Sequence, residues 1–327
     1  MMKVALIGLG SVGRGVCHVL TGDERFSVVA VADSKSGVVN AEGLDIQEVL
    51  SIKKKTGKCG TPEWTAFRIA AEIDYDVLVE VTPTNAITGE PALSTIKIAL
   101  SRGKHVVTSN KGPISLAYRE LSTLAEENNA DLRFEGTVAG AIPIINGIRT
   151  GLGGNKIKAL FGVLNGTCNY ILYRMEEEGL TYQQALAEAR DLGYAEADPT
   201  YDVNGTDAAI KLVILANTVL GMNVSLKDVQ RTGIDRLTPD AIKMAHTTGH
   251  TIRLIASLYP EKKDLEVSPR LLPEDDPLVL DETLNAVTVE TEYAGDITFI
   301  GPGAGSIETA SAVLSDMIFI YEKYGFQ

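Results

Sequence analysis

A glycine-rich turn joins an apolar strand to a helix near the start of the chain, and this junction restricts the fold more than any other feature. Val4-Ala-Leu-Ile7 is a short apolar run ended by Gly8, the pattern of a strand buried in a parallel sheet. Ser11 to Leu20 follows as a helix, so Gly8-Leu-Gly-Ser-Val-Gly13 lies where a dinucleotide fingerprint has to lie. In such a turn the first glycine permits the tight bend and the second lets a pyrophosphate approach the backbone. The third allows the helix to pack closely on the strand. The helix N-terminus then offers free N–H groups and its positive dipole end to the phosphates.

The alternation continues. Val28–Ala32, Asp76–Val81, His105–Thr108 and Asp131–Glu135 read as further strands, with helices expected over Pro91–Arg102 and Tyr118–Asn128. Strand and helix alternating at this spacing indicate an α/β fold, a Rossmann-type doubly wound parallel sheet whose strand ends share one ligand edge. After about residue 137 the pattern changes to blocks. Ile157–Leu164 is a long strand, then helices fall near 169–178, 182–192, 206–221 and 239–248, and strands near 251–258, 266–272 and 286–293. Blocks of this kind predict an α+β domain on a mixed sheet. We therefore expect a nucleotide-binding domain over 1–136, a substrate-binding, catalytic and dimerisation domain over 137–300, and a C-terminal helix over 301–327 that returns to the first domain. A mixed sheet with an apolar face exposed would be covered by a two-fold partner, giving a homodimer.

The formal net charge of −13 argues against nucleic acid or an anionic membrane as partner, since both call for a basic face. Cys17, Cys59 and Cys168 are scattered without metal-ligand spacing, which fits a reducing compartment better than a disulfide framework. With a strand directly at the N-terminus no signal peptide is expected, and the chain reads as cytoplasmic.

Candidate chemistry collects at three places. Asp33 ends the second strand twenty residues beyond Gly13, where a carboxylate holds the ribose hydroxyls of NAD and repels the 2′-phosphate of NADP. Lys53-Lys54-Lys55 could fold over such a phosphate or simply end a solvated helix, so NAD and NADP both stay open. Thr82-Pro83-Thr84 and Ser109-Asn110-Lys111 follow the third and fourth strands at the same edge. Glu196-Ala-Asp-Pro-Thr-Tyr-Asp202 forms a loop too charged to pack as core, ahead of a helix bearing Asp207 and Lys211 at i, i+4. The residues that follow, Leu212-Val-Ile-Leu-Ala216, are apolar. Lys211 therefore lies at a core edge, either in a plain ion pair or as a proton-exchange group. Glu135-Gly-Thr-Val-Ala-Gly-Ala-Ile142 could hinge the domains or offer oxygen ligands to a hard cation. Asn165-Gly166-Thr167 could meet a carboxylate ligand or serve as an ordinary turn and N-cap.

Taken in order, these motifs resemble the homoserine dehydrogenase family. The likeness runs over nearly the whole chain: Gly8 to Gly13, Glu80-Val-Thr-Pro83, Thr108-Ser-Asn-Lys111, Glu135 to Pro143, Asn165-Gly-Thr167, Glu196 to Lys211, and Gly301 to Gly305. Its length resembles the short form that lacks a C-terminal regulatory ACT domain. The resemblance implies reversible oxidation of L-homoserine to L-aspartate 4-semialdehyde with NAD or NADP, in threonine, isoleucine and methionine biosynthesis. It implies Lys211 as catalytic acid/base, Lys111 as a second essential lysine, and Glu196, Asp202, Asp207, Gly166 and Thr167 as substrate contacts. Cofactor contacts are implied at Gly8, Gly10, Ser11, Val12, Gly13, Asp33, Thr82, Pro83, Ser109, Lys111 and Gly303. A monovalent cation, Na+ or K+, is implied at Glu135, Val138, Gly140 and Ile142. Tyr201 and Cys168 stand within the motifs at positions where the family pattern is permissive. Another amino-acid dehydrogenase of the same fold, or a non-catalytic NAD(P)-binding sensor, would share the first domain.

Overall fold

The opening apolar run becomes β1 (Met2–Ile7), almost wholly buried, and the glycine turn leads into α1 (Ser11–Leu20). A computed structural model of the chain describes residues 1–326. The chain divides into two units, Met1–Ala141 with the stretch from Gly305, and Ile142–Ala304. In the first, β2 (Phe26–Ala32), β3 (Gly37–Val39), α2 (Ile46–Thr56), α3 (Ala66–Glu72), β4 (Val77–Glu80), α4 (Ala92–Ser101), β5 (His105–Thr108), α5 (Lys111–Glu127) and β6 (Leu132–Arg133) follow in sequence. The sheet order is β3-β2-β1-β4-β5-β6. All pairings are parallel except β2 with β3. Strand order reverses between β1 and β4, so the crevice beyond their carboxyl ends is the ligand position of this sheet.

The second unit begins with the short α6 (Ile144–Asn146) and one π-helical turn. It continues through β7 (Ile157–Val163), α7 (Gly166–Glu178), α8 (Tyr182–Asp191), α9 (Thr200–Val203), α10 (Thr206–Val219), β8 (Gln230–Arg231) and α11 (Pro239–Thr247). β9 (His250–Tyr259), β10 (Asp264–Pro273), β11 (Leu284–Thr291) and β12 (Asp296–Pro302) complete it. The sheet order is β12-β11-β7-β9-β10-β8, antiparallel throughout except for β8 beside β10. Helices α7, α10 and α11 all pack on β9. A mixed sheet was the expectation from the block pattern, and it is what forms.

α12 (Ser306–Tyr324) joins the first unit, laying Ala310, Val313, Met317 and Ile320 into its core. It lies so close to α1 that a side chain at Gly15 would stand 2.3 Å from the Ser306 carbonyl oxygen. Asp316, only 1% exposed, accepts from the Arg133 guanidinium at 3.2 Å and from the Glu135 amide at 2.8 Å. Arg133 also stacks 3.9 Å from the Phe319 ring centroid.

Of the boundaries that differ from the sequence reading, two have a clear local cause. The helix expected from Tyr118 starts at Lys111, because the Asn110 side chain accepts from the Gly112 amide and caps it there. The strand expected over 131–135 is cut to Leu132–Arg133, since Glu135 opens a 3-10 turn. Removing a buried carboxylate leaves its partners unsatisfied. Asp316→Ala should therefore cost about 2–3 kcal/mol in urea unfolding. A loss below about 0.5 kcal/mol would show that apolar contacts alone dock α12.

Candidate active site

At the turn after β1, each glycine has its own physical reason. Gly8 has φ +108°, and a side chain on it would stand 2.8 Å from the Val81 carbonyl group and 3.0 Å from the Thr82 nitrogen. A side chain on Gly13 would stand 2.0 Å from the Gly8 oxygen. Gly10 has open space where its side chain would be, and as N-cap of α1 it supplies no capping oxygen. The first amides of that helix, Ser11 and Val12 among them, therefore keep donors for a phosphate that can approach over Gly10. This fits a dinucleotide pyrophosphate.

Asp33 is engaged through both of its oxygens. One of its oxygens accepts from the Lys35 amide at 2.7 Å, the Ser36 amide at 2.8 Å and the Ser36 hydroxyl at 3.2 Å. The other is paired with Lys53, the one lysine of the 53–55 run that turns inward, whereas Lys54 and Lys55 are exposed. Burial raises the Asp33 carboxyl, but Lys53 and the surrounding N–H groups outweigh it and hold it below the usual range.

Beyond β4 and β5, Thr82 is half-buried, Pro83 exposed, and Ser109 and Lys111 half-buried. Lys111 is the first residue of α5, directly after its cap. Asn110 is buried and donates to the Thr82 carbonyl and hydroxyl at 3.2 Å each, tying the two loops together.

In the second unit, β7 ends at a turn facing the start of α10. Lys211 is 8% exposed. It pairs with Asp207 at 2.8 Å and donates to the Leu164 carbonyl at 2.5 Å. The ion pair expected from the i, i+4 spacing forms, but it is buried rather than a surface contact. Asn165 is the hub that the sequence reading treated as a simple cap. Its amide nitrogen donates to Asp202 at 2.7 Å and to Asp207 at 3.0 Å, while its oxygen accepts from the Cys168 amide and caps α7. Gly166 passes so close to Thr283 that a side chain would stand 2.5 Å from its carbonyl oxygen. Thr167 donates to the Tyr194 carbonyl at 2.7 Å, which anchors the acidic loop. Glu196 is exposed and stays outside this network. Cys168 is fully buried, with its thiol pushed well up by burial.

Glu135 and Val138 are buried, and Ala139 and Gly140 are successive left-handed residues with φ +58° and +56°. Ile142 belongs to the second unit. Gly303 is buried against Asn285, whose side-chain atoms would lie 2.0–2.3 Å from any Cβ at that position, so packing alone requires glycine there.

The family model for homoserine dehydrogenase matches residues 143–318, and that for the homoserine dehydrogenase NAD binding domain matches residues 8–135. Together they take in both the Gly8 turn and the Asn165–Lys211 cluster. The chain belongs to the homoserine dehydrogenase family. A homoserine dehydrogenase from Methanocaldococcus jannaschii is 45% identical, covering 98% of this chain and 99% of its own. An NAD(+)-dependent homoserine dehydrogenase from Pseudomonas canavaninivorans is 38% identical over 98% of this chain and 96% of its own. A hyperthermophilic archaeal homoserine dehydrogenase solved in complex with NADPH superposes with TM-score 0.87 at 31% identity, covering 98% of each chain. As a member of the homoserine dehydrogenase family, the chain is an NAD(P)-dependent oxidoreductase.

Lys53 pairs with the carboxylate expected at the adenosine ribose. Lys53→Ala should therefore lower NADPH affinity about 10-fold relative to NADH, measured by nucleotide fluorescence titration. An unchanged ratio would place the 2′-phosphate away from Asp33.

Proposed function

We propose that Lys211 is the proton-transfer group in the oxidation of L-homoserine to L-aspartate 4-semialdehyde, the reaction that this family's name denotes. One observation carries the reading: a buried lysine held between the Asp207 carboxylate and the Leu164 carbonyl, beside Asn165 and Asp202. Both partners are acceptors, so the Lys211 nitrogen is held as a hydrogen donor. An ammonium donates a proton to the oxygen of an aldehyde as that carbon is reduced, and in oxidation the amine takes the hydroxyl proton back. When bound, the nicotinamide supplies the two-electron chemistry as hydride donor or acceptor. The acidic residues Glu196, Asp202 and Asp207 suit the substrate's ammonium, and the amides at Gly166 and Thr167 suit its carboxylate. Lys111, at the N-terminus of α5, adds a second positive group for the carboxylate or hydroxyl.

The glycine turn supports cofactor contacts at Gly8, Gly10, Ser11, Val12 and Gly13, and the strand-end loops support Thr82, Pro83 and Ser109. The pairing of Asp33 with Lys53 is compatible with either NAD or NADP. Successive left-handed residues at Ala139 and Gly140 turn the backbone sharply, which suits oxygen donors for Na+ or K+ around Glu135, Val138, Gly140 and Ile142. Three free, buried thiols suit a reducing, cytoplasmic setting, and the reaction itself belongs to threonine, isoleucine and methionine biosynthesis. Among the described residues no helix is long and apolar enough to cross a membrane.

A homodimer is supported by the second unit's sheet, where Phe161, Tyr259, Leu272, Thr288 and Thr298 line a cavity of about 490 Å³. This face is mixed rather than purely apolar, with Arg270 and Glu290 on it, which suits a self-complementary contact. Phe161→Arg should shift the chain from two copies to one in sedimentation velocity. Monomeric parent protein would end the dimer reading.

Lys211→Ala should lower kcat for homoserine about 10³-fold or more while changing NAD(P)H affinity less than about 3-fold. An unaltered kcat would remove Lys211 from the chemistry.

A further inference from the structure

Strand β4 reads Val77-Leu-Val-Glu80, and its last residue is a carboxylate with no exposed surface in the middle of the nucleotide-binding sheet. An aliphatic residue would fill that place without the cost of desolvating a charge. What surrounds Glu80 is a closed ring of hydrogen bonds. One of its oxygens accepts from the Thr82 amide at 3.0 Å and from the Thr82 hydroxyl. The other accepts from the Thr108 hydroxyl at 3.1 Å. Thr108 accepts in turn from the Asn110 amide at 3.0 Å, and the Asn110 side chain returns to the Thr82 hydroxyl at 3.2 Å and the Pro83 carbonyl at 3.4 Å. The ring therefore links the ends of β4 and β5, and through Asn110 it caps α5, whose first residue is Lys111. A second contact presses the same corner shut: a side chain at Gly112 would stand 2.5 Å from the Asn85 carbonyl oxygen.

In this sheet the glycine turn and Asp33 lie on the β1–β2 side, the half that takes pyrophosphate and adenosine. The β4–β5 half, where the ring sits, takes the other nucleotide.

We propose that Glu80 is a positioning residue for the nicotinamide half of the cofactor, locking Thr82–Pro83 and Ser109–Lys111 into one rigid binding edge. The Thr82 amide, the Thr82 hydroxyl and the Thr108 hydroxyl all donate to it, so the ring is built around an acceptor with two oxygens, and a carboxylate accepts from all three. Burial pushes the carboxyl up to about 7, against the lowering effect of the Thr82 and Thr108 donors. The desolvation cost is thus retained at a strand end where nothing in the packing demands it. This inference rests on NAD(P) binding by the first unit and is independent of the role given to Lys211.

The test uses the full chain with Glu80→Gln and Thr108→Val, measuring the dissociation constants of NADPH, NADH and the adenosine-half fragments ADP and 2′,5′-ADP. Glu80→Gln places an amide NH2 against donors, and Thr108→Val opens one side of the ring while keeping Glu80. Both should weaken NADPH and NADH, by about 10-fold for Glu80→Gln and about 3-fold for Thr108→Val. The fragments should change less than about 2-fold. KM for the cofactor should rise more than kcat falls. Equal weakening of fragment and dinucleotide would mean a general loss of structure and overturn the proposal, as would unchanged dinucleotide affinity. If Glu80→Gln fails to fold, Thr108→Val carries the same comparison alone. Failure of the NAD(P) reading itself would show differently, as a parent protein that binds neither dinucleotide.

Discussion

A lysine ammonium buried beside an aliphatic helix dictates how its surroundings must be built. Removing one charge from water costs several kcal/mol even after the protein relaxes, so Lys211 requires acceptors that are themselves held in place. Asp207 comes from the same helix face, one turn back, and Leu164 supplies the carbonyl at the end of β7. Asp207 then needs a partner of its own, which is Asn165, and Asn165 spends its other end capping α7. Three elements, β7, α7 and α10, are thus joined through one chain of hydrogen bonds, those to Lys211 and Asp207 charge-assisted. Such a network fixes geometry more than it adds stability. A surface pair at the same spacing would contribute less than about 1 kcal/mol and would weaken with salt.

The nucleotide edge is governed by the opposite device, the lack of side chains. Gly8 and Gly13 stand where any Cβ would run into backbone atoms, so the turn and the first helix sit closer together than other residues permit. Gly10, by contrast, meets nothing. Space is left for a ligand at that one point and closed on both sides of it. Gly15 extends the same logic to α12, whose return to the first unit depends on a close approach at Ser306. The dipole of α1 is uncapped at the same open point, so the shape and the field of the site coincide.

Much of this was legible in the sequence because the relevant signals are local. Apolar runs ended by glycine mark β1, and the i, i+4 spacing of Asp207 and Lys211 survives intact in α10. The elements that escaped notice carry weak local patterns. β3 has only three residues and pairs antiparallel at the edge, and β12 is an edge strand with no buried residue, so it carries no long apolar run. The start of α5 was missed because its signal is one asparagine followed by Gly112 and Pro113, residues that argue against a helix interior but are tolerated in its first turn. At the site, sequence reasoning found the charges and missed what holds them. Asn165 looks like an N-cap, which it is. Nothing local shows that its amide also reaches Asp202 and Asp207, 37 and 42 residues away. Asp33 shows the same limit: its place after β2 is a local signal, but its pairing with a lysine from α2, 20 residues on, is not.

Glu80 and Lys211 are two answers to one physical problem. Each is a charge buried at the end of a strand system, and each is surrounded by partners of one kind only. Donors converge on the carboxylate and acceptors converge on the ammonium. Uniform polarity of that sort holds each group in one place, because turning it away leaves several neighbours unsatisfied together. The loops that supply those neighbours consequently lose their freedom. A loop tied by solvent-exposed contacts would reorganise each time a ligand arrived, and binding energy would be spent on ordering it. Loops tied to a buried charge are ordered before the ligand comes. For an enzyme that must align a carbinol carbon, a nicotinamide and a proton carrier, placing the desolvation cost in the folded protein removes it from the reaction.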